Sequence, residues 1–309
     1  MLTHKIEDVE IHQLQILREL GALGSVTAVA EALRVTPSAV SQQLAALQRG
    51  FRTPLTRKQG RTLVLTAAGE VLAASGAEAI DAMAAARNAL DAFEHDVTGV
   101  VTLSGFHSVG QALFGALMRE LSSDPAPLVH LTDEDVAQSD FPALTARYDL
   151  VLAHRMDHST PWPTTGIRSL TLVREPLDVA VAVSHPLASR RSLSPADIAG
   201  EHWVTSRIGY SPDDVLRAIA AVANRPVQVQ HRINDYGAVA AVVAAGDAIG
   251  MLPRYTSRSV DDRDIVRLPL RGVNTLRAID VLARPEHLRR RSVRQVIEGL
   301  QRAMARLSS

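Results

Sequence analysis

The chain has 309 residues, 46% of them hydrophobic, with 33 basic and 33 acidic side chains. That is a globular composition with room for about two or three compact units, and its formal net charge of +0 means that any basic field must be local. Zero Cys excludes disulfides, thiol chemistry and Cys-ligated zinc, and fits a reducing compartment.

Residues 1–8 contain no apolar h-region, so no secretory signal is expected. The longest apolar stretch, 238–245, is far too short to span a bilayer, and a cytoplasmic location with no membrane partner is expected. Leu14, Leu17 and Leu20 recur at helical spacing and predict a first helix over 11–20, ended by Gly21 and Gly24. Ser25 can cap a second helix over 26–33, with Arg34 and Val35 as the turn. Thr36 and Pro37 then start a third helix reaching about residue 49: a hydroxyl cap, then a residue whose missing N–H costs nothing at the first helical position. Val40, Leu44 and Leu47 face its core, which leaves Ser38, Ala39, Ser41, Gln42 and Gln43 outside. Small hydroxyls and amides there can donate to and accept from base edges without holding the helix out of a DNA groove.

Over 55–65 two short apolar strands flank a Gln59-Gly60 turn bearing Arg57, Lys58 and Arg61. No Asp or Glu occurs between Glu31 and Glu70, while Arg34, Arg49, Arg52, Arg57, Lys58 and Arg61 do. A helix pair followed by a basic hairpin in an acid-free island is how proteins place a helix in the major groove and a wing on phosphate.

These residues resemble the LysR-type transcriptional regulators. The family pattern appears as Gly24-Ser25, 28–33, Thr36-Pro37-Ser38-Ala39-Val40-Ser41, Pro54-Leu55-Thr56-Arg57-Lys58 and Leu65-Thr66-Ala67-Ala68-Gly69, and departs at Gln48, Arg52 and Thr56. The resemblance implies base contacts from Ser38, Ser41, Gln42 and Gln43 and backbone positioning by Arg34, Arg57, Lys58 and Arg61, with Thr36 and Pro37 completing the DNA-facing set.

Thr66 can cap a long, Ala-rich helix without Pro over about 67–94. Its charge is reversed, Glu70, Glu78, Asp81, Asp91, Glu94 and Asp96 standing against Arg87 alone, so its apolar stripe of Val71, Leu72, Ile80, Met83, Leu90 and Phe93 calls for a protein partner rather than DNA. The resemblance implies a linker helix that forms a dimer. Beyond residue 98 strands and helices alternate, an α/β pattern expected to have mostly parallel strands, with a helix over 136–146 and separate strands over 167–173 and 177–183.

The organisation expected is thus an all-α winged helix-turn-helix domain over 9–67, its helix-turn-helix about 26–45. A linker helix over 67–96 and an α/β, two-subdomain, periplasmic-binding-protein-like effector domain over 98–309 follow. The resemblance implies one subdomain from about 98–165 with 271–309 and another from about 166–270. Ligands in open sheets bind where strands end and helices begin, which selects Gly105-Phe106-His107-Ser108, Thr132-Asp133, Thr205-Ser206 and Asn234-Asp235 for a small effector, an anion or zwitterion by its helix termini and hydroxyls. His107, His130, His154 and His158 lack metal-ligand spacing, and Arg289, Arg290, Arg291 and Arg294 near His287 read as a solvated helix face. The expected function is a DNA-binding transcription regulator controlled by a small molecule, working on double-stranded promoter DNA as a dimer or tetramer, with no cofactor, metal or catalytic residues. An α/β enzyme, which would lack G-x-S-x-G, P-loop, G-x-G-x-x-G and H-E-x-x-H parts, and a solute-binding protein are the alternatives.

Overall fold

The computed structural model describes residues 9–60, 62–93, 97–123, 125–257 and 263–309, so Arg61 of the basic hairpin, with Glu94 and Asp96, lies outside the described residues. Helix α1, Ile11–Leu23, runs two residues beyond Gly21. Gly21 sits inside the helix because a Cβ there would stand 2.9 Å from Leu65 Cδ1, and the stop comes at Gly24 in the left-handed region at φ 65. Helix α2, Val26–Leu33, is capped by Ser25 Oγ, which accepts from Ala28 N at 3.4 Å. Arg34 makes the turn at φ 56. Helix α3, Pro37–Arg49, has Thr36 Oγ1 accepting from Ala39 N at 3.2 Å. Leu17, Leu20, Val29, Val40 and Leu47 meet in one core.

The wing is β1, Thr56–Gln59, against β2, Thr62–Leu65, with Thr56 opposite Leu65 and Leu55 buried beneath. Gln48 holds the approach to it: Nε2 donates to the Phe51 and Thr53 carbonyls at 3.1 Å each, and Oε1 accepts from Leu55 N at 2.8 Å. An amide supplies both donor and acceptor here, a combination an ionised carboxylate cannot offer.

Helix α4, Ala67–Phe93, has 27 residues, about 40 Å of rise. Its apolar stripe splits: Leu72 and Ile80 join the core of the helical unit, whereas Val71, Met83 and Leu90 stay exposed.

The remaining elements are β3 Val100–Gly105, α5 His107–Glu120, β4 Leu128–Asp133, α6 Phe141–Leu144, β5 Leu150–Met156, β6 Arg168–Ala182, α7 Pro195–Ile198, β7 His202–Thr205, α8 Ser211–Ala223, β8 Gln228–Arg232, α9 Tyr236–Ala244, β9 Ile249–Pro253, β10 Ile265–Leu268, β11 Leu276–Ala283, α10 Pro285–Leu288 and α11 Arg291–Ser308. Among the described residues β3–β11 form one mixed sheet in the order β4-β3-β5-β11-β6-β9-β7-β8, with β10 beside β6. Parallel pairs (β3 with β4 and β5, β7 with β8 and β9) are matched by antiparallel ones around β6 and β11, so the mostly parallel expectation is corrected.

Two further expectations change. The helix over 136–146 is a 3-10 turn at Gln138–Asp140 and the four-residue α6, because Pro142 has no N–H to continue a ladder. The strands over 167–173 and 177–183 are one strand, β6. Arg168 to Pro176 pairs with β11, and Leu177 to Ala182 pairs with β9 and β10. Ile167, Leu172 and Val173 pack on the core of α5, α11 and β3–β5, while Leu177, Val179 and Leu270 pack on that of α7, α8 and β7. The change of lobe therefore falls at 176/177 and 275/276, not near 165 and 270.

Charge pairs tie this unit to the helical one. Glu19 on α1 is fully buried and paired with Arg284, Arg18 lies 2.9 Å from Glu286, and Arg289 Nε donates to Asp81 on α4 at 2.8 Å. Arg290 holds Asp149 at 2.7 Å and Arg294 donates to the Leu288 and Arg289 carbonyls. Arg289 and Arg290 are thus paired with acidic side chains, while Arg289, Arg291 and Arg294 remain exposed, as a solvated helix face would be.

The junction of wing and linker turns on Gly69. A Cβ there would lie 2.0 Å from the Leu55 carbonyl oxygen, which is fixed by accepting from Thr66 N at 3.0 Å. The helix-propensity gain of Gly69→Ala, about 1 kcal/mol, is smaller than an overpacking cost against backbone of about 1–3 kcal/mol or more. Urea denaturation of the full chain should show Gly69→Ala less stable than the parent; equal or greater stability would mean that the junction is looser than described.

Candidate nucleic-acid interface and effector cleft

On α3 Pro37, Ser38, Ser41, Gln42, Ala45 and Arg49 are exposed, preceded by Thr36. The Thr36 hydroxyl is engaged in capping. Gln43 points elsewhere: it is half-buried, and its Oε1 accepts from Gln13 Nε2 at 3.2 Å, Gln13 itself being buried on α1. At 100° per residue Gln43 follows Val40 and precedes Leu44 on the inward side, so its assignment to the outer face is corrected. Arg34, Arg57 and Lys58 are exposed, without an ion-pair partner among the described residues, and the left-handed turn at Arg34 presents its side chain beside the start of α3.

The second site lies where β3, β4 and β7 end and α5, α8 and α9 begin. It is a cleft of about 20 Å³ whose lining includes Phe106, His107, Ser108, Ser206 and Asn234. That volume admits about one water molecule. Thr205 is buried one residue away with its Oγ1 unpartnered, and Asp235 reaches the cleft through His107. Thr132 does not line it; its neighbour Asp133 is the residue that meets His107, at 3.2 Å.

Sequence reasoning missed Asp135, His154, Tyr210, Pro212, Tyr236 and Arg277, which complete the lining. A lone Arg277 with Asp280 in the otherwise apolar β11 was the available signal. Arg277 is 1% exposed and is the hub of the cleft floor. Nε donates to Glu175 Oε1 at 2.8 Å and Nη2 to Thr256 Oγ1 at 2.7 Å, with Tyr236 OH at 3.4 Å and Ser108 Oγ at 3.5 Å. Glu175 also accepts from the backbone N–H groups of Tyr255 and Thr256, at 3.1 Å each. Burial works against the Arg277 charge, but the Glu175 carboxylate and the Tyr236 hydroxyl together prevail and raise the guanidinium pKa.

Across the mouth, His107 Nε2 lies 2.8 Å from Asp235, and Asn234 Nδ2 donates to Asp135 at 2.8 Å. Tyr210 OH donates to the Asp135 carbonyl at 2.9 Å. These bonds join one lobe to the other. Burial opposes a proton on His107, yet its hydrogen bonds to Asp133 and Asp235 prevail and raise the pKa above 6.5. A raised histidine pKa stabilises the folded state fully below the unfolded value, and that contribution is lost as pH rises through the folded one. His154 is the opposite case: burial first, and then Arg277, push its pKa well down, so it stays neutral, 2.9 Å from Ser211 Oγ and edge-on to Phe106. Of the anion or zwitterion expected from the sequence, the carboxylates Asp133, Asp135 and Asp235 around the mouth disfavour the anion. Among the described residues no group of side chains is arranged to hold a metal ion.

Breaking the buried pair should be costly. Arg277→Met leaves Glu175 without its counter-ion and is expected to lower stability by about 3–5 kcal/mol, while Arg277→Met with Glu175→Gln recovers part of the loss. A double-mutant cycle by urea denaturation checks this; additive losses would mean that the pair is not coupled.

Residues 11–70 match the family model for the bacterial regulatory helix-turn-helix protein, lysR family, and residues 94–305 match that for the LysR substrate binding domain. Among curated relatives, the HTH-type transcriptional regulator YybE of Bacillus subtilis is 24% identical over 274 residues, 88% of this chain and 91% of that one. MetR of Salmonella typhimurium is 27% identical over 259 residues, 84% of this chain and 79% of that one. Among solved structures, a cysteine variant of full-length OxyR from Pseudomonas aeruginosa superposes with a TM-score of 0.66 at 15% identity, covering 97% of this chain and 96% of that one. Full-length CbnR bound to its target DNA does so with 0.53 at 20% identity, covering 96% and 100%. With a lysR-family helix-turn-helix and a LysR substrate-binding domain matched in succession, and a fold to accord, the chain belongs to the LysR-type transcriptional regulators.

Proposed function

We propose that this regulator reads promoter DNA with the outer face of α3, Ser38, Ser41 and Gln42, while Arg34, Arg57 and Lys58 hold phosphate. The observation that carries the reading is the placement of unpaired cations on both sides of a small, polar, exposed helix face. Phosphate contacts set register and affinity, and base-edge contacts set sequence preference. The DNA complex of CbnR, a structure of the same fold, supports it.

The exposed Met83 and Leu90, seven residues apart on α4, are proposed as the seam of a homodimer, since an apolar helix face of this kind is covered by a second helix. The cleft beneath His107 and Asp235 is proposed as the effector site, opened when the cross-lobe bonds part. No catalytic role or cofactor is assigned, the family being one of transcriptional regulators. No described helix is long and apolar enough to cross a membrane, and a cytoplasmic location is proposed because the promoter DNA this reading requires lies there.

Operator-binding titrations at several salt concentrations test the DNA reading. Arg57→Ala should weaken binding to every sequence and reduce the salt slope by about 1, whereas Gln42→Ala should cost about 1–3 kcal/mol at one base position. Gln43→Ala should leave base preference nearly unchanged because its amide serves Gln13. An unaltered base profile for Gln42→Ala would remove α3 from its reading role. Sedimentation of Met83→Asp, which puts a charge in the seam, should give smaller species and loss of operator binding; a parental mass distribution would place the interface elsewhere.

A further inference from the structure

Ser206 lines the cleft and is 5% exposed, yet its Oγ has no partner among the described residues, and the Thr205 Oγ1 behind it has none either. Buried hydroxyls are ordinarily bonded, so an unpaired one lining a cleft marks where a ligand atom belongs. The charged groups around that point are spent unevenly. Arg277 is neutralised by Glu175, and Arg232 is held by Asp213 and the Ser206 carbonyl. Glu134 accepts from Tyr148 OH and lies 3.4 Å from Arg147. Asp135 is met by Asn234 and, at 3.4 Å, by Arg207.

Among the described residues Asp133 at the end of β4 and Asp235 at the cap of α9, whose Oδ1 also accepts from Ala238 N at 2.7 Å, share one ionisable partner, the imidazole of His107 on α5, with Gln111 one turn on. A neutral imidazole carries a single N–H and can serve only one of two carboxylates; its other nitrogen turns a lone pair toward the second. The seat suits a cation with more than one donor.

We propose that the effector is a small organic cation whose ammonium or guanidinium group replaces His107 between Asp133 and Asp235, while its body reaches inward to Ser206. This rests on the cleft being the effector site. The imidazole is then a resident stand-in for the ligand's charge: its exit opens the cross-lobe bond to Asp235, and the incoming cation satisfies the same carboxylates. The raised His107 pKa is the mark of that field. It also implies competition, since a protonated His107 holds the seat more firmly than a neutral one.

Thermal unfolding of the full chain with diaminobutane or free L-arginine, against succinate as an anion of similar size, tests the proposal. Both amines should raise Tm by several degrees near about pH 8 and by less near about pH 6; succinate should not. Asp133→Asn and Asp235→Asn should each diminish the shift and together abolish it, the Asn at 235 retaining the helix cap. Ser206→Trp should abolish it by filling the cleft. Amines that leave Tm unchanged, or whose shift survives the double variant, overturn the proposal. A succinate shift that is lost in Ser206→Trp overturns the cation while upholding the cleft, whereas a shift by either class that persists in Ser206→Trp moves the effector site itself.

Discussion

A guanidinium withdrawn from water is tolerated only where its charge and its N–H groups are matched in place, and much of the effector unit is arranged to match Arg277. The partner is Glu175 on β6, fixed by two backbone N–H groups and the Thr256 hydroxyl, so that neither ion is held by solvent. Around them, Phe106 and Tyr236 present ring faces 5.4 and 5.9 Å from the guanidinium carbon. Those rings come from the N-cap of α5 and the first residue of α9, that is, from opposite lobes. Because desolvation makes the pair intolerant of a missing member, the same contacts that satisfy the charge fix the positions of both helix N-termini. The polar mouth above them inherits its geometry from this apolar, ionic floor.

The helical unit was almost fully legible in the sequence because its signals are local. Ser25, Thr36 with Pro37, and Thr66 each act through a hydroxyl and an N–H three residues on, and those caps stand where their spacing predicts. Gln43 was misread because helical periodicity alone cannot tell a residue at the edge of the inner face from one on the outer face; the deciding contact comes from Gln13, 30 residues away. The effector unit was legible as alternating elements but not as lobes. Nothing in residues 167–183 announces that one strand serves two cores, since the pairing partners, β9, β10 and β11, lie far along the chain. Asp135 and Tyr210 were invisible for the same reason: their role is a bond between segments 75 residues apart.

The linker helix has two obligations on opposite sides. Toward α1 it must come close, and small residues permit this: a Cβ at Gly76 would stand 3.2 Å from Leu14. On other faces it offers Asp81 to Arg289 and leaves Met83 and Leu90 bare. The Arg289 guanidinium holds the Asp81 carboxyl below its ordinary pKa, chiefly by hydrogen bonding and secondarily by charge. A single rod therefore carries the helical core, a tether to the effector unit and an uncovered seam, and the acidity that bars it from DNA is partly spent on the tether.

The chain crosses between lobes at 176/177 and at 275/276, one residue removed from Glu175 and from Arg277. Engineers would call this a flexure: two thin straps run side by side and a pin passes between them. In such a joint the material at the pin hardly moves, while points out along the arms sweep arcs that lengthen with their distance from it. Any rotation of one lobe on the other is thus geared, with the ionic pair as its fulcrum and the loops at the strand ends as its travelling tips.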